Sequence, residues 1–149
     1  MADKTFQCRL VTPTEQLLSE PVAYASVPAW DGLFGVLPGR APILAKLGTG
    51  ELTLEFPGGA GSKGGRRTYA IDGGFVQMSG NLLSILAERA IVADKLVEGD
   101  AEADLRAAEG KTVPADAKDK ALAQQRVTRE RDWARVKLRV ARGAKSRGI

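Results

Sequence analysis

The sequence predicts an N-terminal antiparallel β domain, built as a sandwich or a barrel, followed by a C-terminal α-helical hairpin. Short stretches of alternating apolar and polar residues, separated by turn residues, fill the first part of the chain. Charge changes where this alternation stops, because residues 1–95 carry nine basic and nine acidic side chains and residues 96–149 carry thirteen and nine. We therefore expect a β domain over residues 1–90 and a helical hairpin over residues 91–149.

Several stretches of the first part have the alternation of half-buried strands. In "FQCRLV", the apolar residues Phe6, Cys8 and Leu10 alternate with polar neighbours. "ELTLEF" repeats the pattern with Leu52 and Leu54, and "VAYASVP" and "LLSILAERA" have the composition of further strands. The spacing of the turns between these stretches is typical of antiparallel sandwiches and barrels.

The strongest hairpin signal is "TYAIDGGFVQM". The Gly-Gly pair at 73–74 can adopt the positive φ angles that two-residue turns between antiparallel strands require. A turn at this pair would place Ile71 opposite Val76 and Tyr69 opposite Met78. We expect these four side chains to share one face, directed into the core.

Two helices are predicted after the β domain. The first begins near Asp100, a candidate N-cap, and ends at Gly110. The second covers residues 115–145, and a short connection makes the pair antiparallel. The apolar face of the second helix is narrow, so this helix should pack against another part of the protein. Its members are Leu122, Trp133, Val136 and Val140.

Composition excludes several classes of function. The chain has no histidine and a single cysteine, Cys8, which removes histidine-based catalysis, internal disulfides and multi-cysteine zinc sites. The longest apolar run is four residues, against roughly 20 for a membrane-spanning helix, and the N-terminus lacks the pattern of a secretory signal. "GAGSKG" has the spacing of a dinucleotide-binding loop but precedes a strand-like stretch. We expect a cytoplasmic protein without catalytic, cofactor-binding or metal-binding residues.

The loop "GLFGVLPGRAP", residues 32–42, combines a turned backbone with four large apolar side chains. Its three glycines and two prolines exclude a helix. The apolar residues either fill one end of the core or contact a partner. They are Leu33, Phe34, Val36 and Leu37.

The C-terminal part is strongly basic, since residues 120–149 carry ten basic and two acidic side chains. Three interpretations remain open at this point. The stretch is a nucleic-acid-binding module, a solvated helix face, or a contact for an acidic protein surface. The first has little support, because Trp133 is its only aromatic residue.

Six short motifs, in order, make residues 5–95 resemble the ε subunit family of bacterial F-type ATP synthases. Arg40 stands where the family usually has histidine. The motifs are Val11-Thr12-Pro13, Val27-Pro28, Gly32 to Pro42, Leu47 to Leu52, Gly73-Gly74-Phe75, and Ile85 to Ala90.

The resemblance implies a sandwich of about ten strands, a helical hairpin, and a non-catalytic role in the central stalk. Such a subunit binds the γ shaft, rests on the c-ring and couples rotation to ATP synthesis at the cytoplasmic face of the bacterial inner membrane. It would contact the membrane only through the c-ring and would not bind nucleic acid. The expected c-ring contacts are Asp31, Leu33, Phe34 and Arg40.

The resemblance also implies a regulatory role for the hairpin. Extended, it would reach the acidic lower lobes of the α and β subunits and inhibit ATP hydrolysis. The expected contacts with α and β are Arg126, Arg129, Arg135 and Arg139. Relatives that bind ATP carry an I/L-D-x-x-R-A motif. In this sequence, Val97 stands at the position of the acid and Asp100 at the position of the arginine. An anion in place of a cation that faces phosphate disfavours ATP binding, so we expect no bound cofactor.

Overall fold

The computed structural model describes residues 4–59 and 62–147, so two residues of the "GAGSKG" loop lie outside it. The described residues form eight strands, one 3₁₀ turn at Ala93–Lys95 and two α-helices. The strands are β1 (Phe6–Val11), β2 (Gln16–Val22), β3 (Tyr24–Ala29), β4 (Gly32–Val36), β5 (Ile43–Lys46), β6 (Thr49–Gly59), β7 (Ser62–Ser79) and β8 (Leu82–Val92). The helices are α1 (Glu98–Glu109) and α2 (Lys120–Arg147).

The strands form a β-sandwich around one apolar core. Their order is β2-β1-β8-β7-β6-β3-β4, with β5 also paired to β7. All pairs are antiparallel except β1 with β8. The predicted fold class is therefore confirmed. The described residues form eight strands where the resemblance implied about ten, and one of them, β7, is 18 residues long and pairs with both β5 and β6.

The predicted alternation accounts for the core. Phe6, Cys8 and Leu10 are fully buried in β1, as are Leu52 and Leu54 in β6. Burial raises the pKa of the Cys8 thiol to about 12, because an apolar environment disfavours the thiolate. This thiol is therefore protonated and unreactive at neutral pH.

The turn predicted at Gly73 and Gly74 is wrong, because β7 continues through both residues. Their φ angles are +73° and +114°. The backbone N–H of Leu47 donates to the carbonyl of Gly74 at 2.8 Å, and that of Gly73 donates to the carbonyl of Gly48 at 3.1 Å. The chain at Gly73 and Gly74 is therefore hydrogen-bonded to residues 47 and 48 and continues as a strand instead of reversing. Strand β8 pairs with β7 both before and after the two glycines.

The two glycines change the face to which the side chains of β7 point. Tyr69 and Ile71 before them and Val76 and Met78 after them are all buried in the same core. In a regular strand, residues 71 and 76 would face opposite sides. The prediction that these four side chains share a core face is confirmed, although the backbone achieves it without a turn.

The helix ends differ in part from the prediction. Helix α1 begins at Glu98 after Val97, so Asp100 lies in the first turn and is not the N-cap, whereas Gly110 ends the helix as expected. Helix α2 begins at Lys120, five residues later than predicted. The Asp119 carboxylate accepts a hydrogen bond from the backbone N–H of Leu122 at 3.0 Å. This side-chain cap explains the later start.

The hairpin packs against the outer side of β7. Trp133, Val136 and Val140 of α2 are buried against Ala70 and Ala93 in a second apolar cluster. The expected packing of this narrow apolar face is thus confirmed, except that Leu122 remains 43% exposed. Within the described ranges, neither helix has the length and apolar character needed to cross a membrane.

Candidate functional site: exposed apolar surfaces and a docked basic helix

Three neighbouring strands carry large apolar side chains on the face of the sheet that points away from the core. Leu44 of β5, Phe75 of β7 and Leu86 of β8 are 70%, 55% and 49% exposed. Phe75 lies opposite Leu86 on one side and opposite Lys46 on the other, and Leu44 is two residues from Lys46. We call Leu44, Phe75 and Leu86 the outer strip. Exposed apolar side chains grouped in this way are typical of protein-binding surfaces.

The predicted loop, residues 32–42, lies between β3 and β5 and is in part a strand, because Gly32–Val36 form β4 and pair with β3. We call residues 30–42 the tip, because most of them are exposed. Leu33 and Leu37 are 68% and 61% exposed, whereas Val36 is fully buried, and Phe34 packs partly buried against the core. The interpretation that all four apolar residues of this loop fill the core is therefore wrong for two of them. The loop has a mixed role, in which one pair of side chains stabilises the end of the core and the other pair faces outward.

The tip and the outer strip lie next to each other. Trp30, which is 70% exposed, donates its backbone N–H to the carbonyl of Lys46 at 3.0 Å. Lys46 in turn lies opposite Phe75 of the outer strip. Asp31 is also exposed at the tip and Arg40 is half-buried. The two surfaces are therefore adjacent on the folded chain.

A charged cluster joins the β domain to α2 around Asp72, which is completely buried. Thr49 donates its hydroxyl to this carboxylate at 2.6 Å. Arg89 donates from Nε at 2.8 Å and from Nη2 at 2.5 Å. Arg129 of α2 donates from Nε at 3.2 and 3.3 Å to the two oxygens. Arg129 also pairs with Glu88 of β8.

Asp72 is ionised at neutral pH. Burial alone would raise the pKa of this carboxyl group, but hydrogen bonds from Thr49, Arg89 and Arg129 outweigh burial and hold the pKa below its ordinary value. A depressed pKa stabilises the folded state above the ordinary carboxyl pKa. This contribution is lost as the pH falls through the depressed value. The buried Asp72 therefore keeps its negative charge under physiological conditions.

The four arginines predicted to contact α and β differ in their surroundings. Arg129 belongs to the Asp72 cluster, Arg139 lies 3.9 Å from Glu51 of β6, and Arg135 lies 3.8 Å from Asp132 of its own helix. Arg126 forms no ion pair with any residue that the structure describes. Two of the four arginines thus contact acids of the protein's own β domain.

The sequence reasoning missed the outer strip and the Asp72 cluster. Phe75 directly follows the glycines that change the face of β7, so its outward orientation depends on a backbone feature that the sequence pattern does not distinguish from a turn. For Asp72 there was a signal, namely an acid between Ile71 and a glycine in an otherwise apolar strand. Such an acid is buried only with partners. Its partners come from residues 17, 23 and 57 positions away.

Sequence comparisons identify relatives whose family has the same β-sandwich domain. The family described as "ATP synthase, Delta/Epsilon chain, beta-sandwich domain" matches residues 5–93. The ATP synthase epsilon chain of Rhodopirellula baltica is 33% identical over 138 residues, which cover 93% of this chain and 99% of that protein. The ATP synthase epsilon chain of Rhodospirillum centenum is 39% identical over 103 residues, covering 69% of this chain and 68% of that protein.

Comparisons of structure give the same fold. A chain in the mitochondrial ATP synthase of Euglena gracilis, solved as OSCP/F1/c-ring, superposes with a TM-score of 0.66 at 22% identity and covers 97% of this chain and 82% of its own length. A chain in the central stalk/c-ring of the Tetrahymena thermophila mitochondrial enzyme has a TM-score of 0.62 at 14% identity, with coverage of 94% and 99%. The sequence matches and the shared fold lead to one conclusion: the chain belongs to the ATP synthase delta/epsilon family.

Proposed function

We propose that this protein is the ε subunit of a bacterial F-type ATP synthase, a non-catalytic part of the central stalk. Family membership supports this proposal, as does the alignment with the R. baltica epsilon chain over nearly the whole length of both proteins. As ε, the protein would lie at the cytoplasmic face of the inner membrane and would contact the membrane only through the c-ring. It would transmit rotation between the c-ring and γ and so couple proton transport to ATP synthesis.

The outer strip is the surface that we assign to γ. The observation that carries this assignment is the exposure of Leu44, Phe75 and Leu86, three large apolar side chains on adjacent strands of a rigid sheet. A stalk subunit needs a partner that stays bound during rotation, and apolar and aromatic anchors supply most of the binding energy in such interfaces.

The tip is the surface that we assign to the c-ring. Leu33 is exposed there beside Asp31, and Arg40 adds a positive charge to the same loop. Phe34 would contribute mainly by holding the loop against the core, since it is packed there. A tip that carries one acidic and one basic group beside exposed apolar side chains suits contact with the short polar loops of a ring of identical subunits.

Replacing Leu33 with aspartate tests the assignment of the tip. In the reconstituted synthase we expect proton-driven ATP synthesis to fall by about tenfold, which corresponds to a loss of about 1.4 kcal/mol at the contact. ATP hydrolysis by the detached catalytic head should stay within about twofold of the wild type, because the nucleotide sites would not be involved. Leu33 is 68% exposed, so the change should not unfold the domain.

Leu122→Asp is the matched control, since this leucine is also exposed but lies on α2. It should leave synthesis unchanged. If Leu33→Asp and Leu122→Asp reduce synthesis equally, or if Leu33→Asp reduces hydrolysis as much as synthesis, the tip does not contact the ring.

The basic helix is the part that we assign to regulation through α and β. Released from the β domain, α2 would present Arg126, Arg129, Arg135 and Arg139 to acidic surfaces of the catalytic head and inhibit hydrolysis. Exposed ion pairs contribute at most ~1 kcal/mol each and are screened by salt. Deletion of residues 98–149 should therefore increase hydrolysis more at low than at high ionic strength. An unchanged rate at both would contradict this role.

We do not propose the nucleic-acid alternative. Several basic residues of α2 are already paired with acids in the folded chain, which lowers the positive potential that a phosphate backbone would need. The pairs are Arg129 with Asp72 and Glu88, Lys137 with Asp104, and Arg142 with Glu98 and Glu102.

A further inference from the structure

Three ion pairs connect α2 to the β domain near Asp72. Two of them are formed by Arg129 of α2, and the third is formed by Glu130 of α2 with Arg89, the arginine that also binds Asp72. Arg129 of α2 reaches both Asp72 of β7 and Glu88 of β8. Glu130 of α2 accepts from Arg89 of β8 at 3.0 Å. Adjacent residues of the helix therefore contribute one basic and one acidic partner. Sliding of the helix along the sheet would break all three pairs.

The side chains around the cluster are arranged so that the helix can approach closely. A Cβ atom at residue 73 would lie 2.8 Å from Nη2 of Arg129, so glycine leaves the space that the guanidinium occupies. Arg89 also lies over the ring of Trp133, with its Cζ atom 5.0 Å from the ring centroid. The cluster and the apolar contact of Trp133 are thus one continuous interface.

The apolar part of this interface is small on the β domain. Its fully buried members outside α2 are two alanines, Ala70 and Ala93, with Ile91 and Leu96 partly buried beside them. Alanine offers little apolar area on the sheet, so most of the apolar contact comes from Trp133, Val136 and Val140 of α2. The charged pairs add to this contact and fix the position of the helix on the sheet.

The β domain can keep Asp72 paired without the helix. Arg89 and Thr49 both belong to the β domain, and they donate three of the hydrogen bonds to this carboxylate. Departure of α2 would remove Arg129 but would not leave the buried charge without a partner, which is the situation that destabilises proteins most. The released state is therefore accessible without unfolding of the sandwich.

We propose that Asp72, Arg89 and Arg129 form a latch that holds α2 on the β domain, and that breaking the Asp72–Arg129 pair releases the hairpin while the β-sandwich stays folded. This inference rests on the regulatory role proposed for the hairpin, which requires α2 to leave the β domain, and its test on the isolated chain is separate from any test of that role.

Trp133 provides a direct readout. It is 4% exposed in the docked hairpin, and the other tryptophan, Trp30, is 70% exposed. In a Trp30→Phe background, fluorescence and its quenching by acrylamide report on Trp133 alone. Arg129→Gln and Asp72→Asn should shift the ratio of docked to released hairpin by about tenfold, or about 1.4 kcal/mol. Quenching should increase accordingly.

Two matched controls remove one charge each without touching the latch. Arg126→Gln changes an arginine one turn earlier on the same helix. Glu20→Gln breaks the 3.3 Å pair with Arg67 on the β domain. Both should leave quenching of Trp133 unchanged. Amide hydrogen exchange of Phe6–Val11 monitors the core strand β1 in every variant, and its protection should not change.

Arg129→Gln keeps the test valid if Asp72→Asn fails to fold, because the Arg129 side chain is 45% exposed. Equal quenching in Arg129→Gln and Arg126→Gln would overturn the latch. The proposal would also fail if quenching increased only in variants that lose protection in β1, because the cluster would then stabilise the sandwich and not the docked helix.

Discussion

Gly74→Ala should lower the free energy of unfolding of the β domain by at least about 3 kcal/mol. A Cβ atom at this position would lie 1.9 Å from the carbonyl oxygen of Leu86, and the φ angle of +114° is one that alanine rarely adopts. Because the clash is with backbone of the paired strand β8, rotation of a side chain cannot relieve it. Urea unfolding followed by circular dichroism measures the change.

Gly80→Ala is the control for Gly74→Ala. Gly80 also has a positive φ angle, +59°, but nothing lies within 4 Å of its Cβ position. This change should cost only about 1 kcal/mol, the strain of the left-handed conformation. A tight turn at residues 73–74 would leave alanine at 74 facing solvent. Equal costs for the two variants would therefore contradict the continuous strand β7.

Phe75→Asp should weaken binding of γ by about 30-fold or more, since truncating or charging a central aromatic anchor commonly costs about 2 kcal/mol or more. Phe75 occupies the middle of the outer strip, between Leu44 and Leu86. Its side chain is 55% exposed, so the free energy of unfolding of the isolated chain should change little. Titration of purified γ, followed by calorimetry, measures the dissociation constant.

Leu122→Asp is the control for the binding experiment, because it places the same charge on an exposed leucine of α2. It should bind γ like the wild-type chain. If Phe75→Asp also binds with wild-type affinity while its unfolding free energy is unchanged, γ does not use the outer strip.

Local patterns of the sequence predicted most of the fold. Alternation identified the core residues of β1 and β6, and Gly110 marked the end of α1 correctly. These features depend on residues close together in the chain. The start of α2 was placed too early because several residues before Lys120 are compatible with a helix. The carboxylate of Asp119 selects the actual start.

Long-range pairing explains what the sequence did not predict. Gly73 and Gly74 satisfy the requirements of a turn and of a change of face equally well, and only their backbone hydrogen bonds with residues 47 and 48 distinguish the two. The position of Arg129 follows the same principle, because its partner Asp72 is 57 residues away. Its contact with the β domain could not be inferred from the charge pattern of α2 alone.

The proposed place of this chain in a central stalk is tested most directly by its partners in the cell. We would attach an affinity tag to the chain, purify it from detergent-solubilised cells at moderate salt, and identify the bound molecules by mass spectrometry and by RNA staining. We expect recovery of γ together with α, β and the c subunit, and loss of γ when the tagged chain carries Phe75→Asp. Recovery of RNA without any synthase subunit would contradict it.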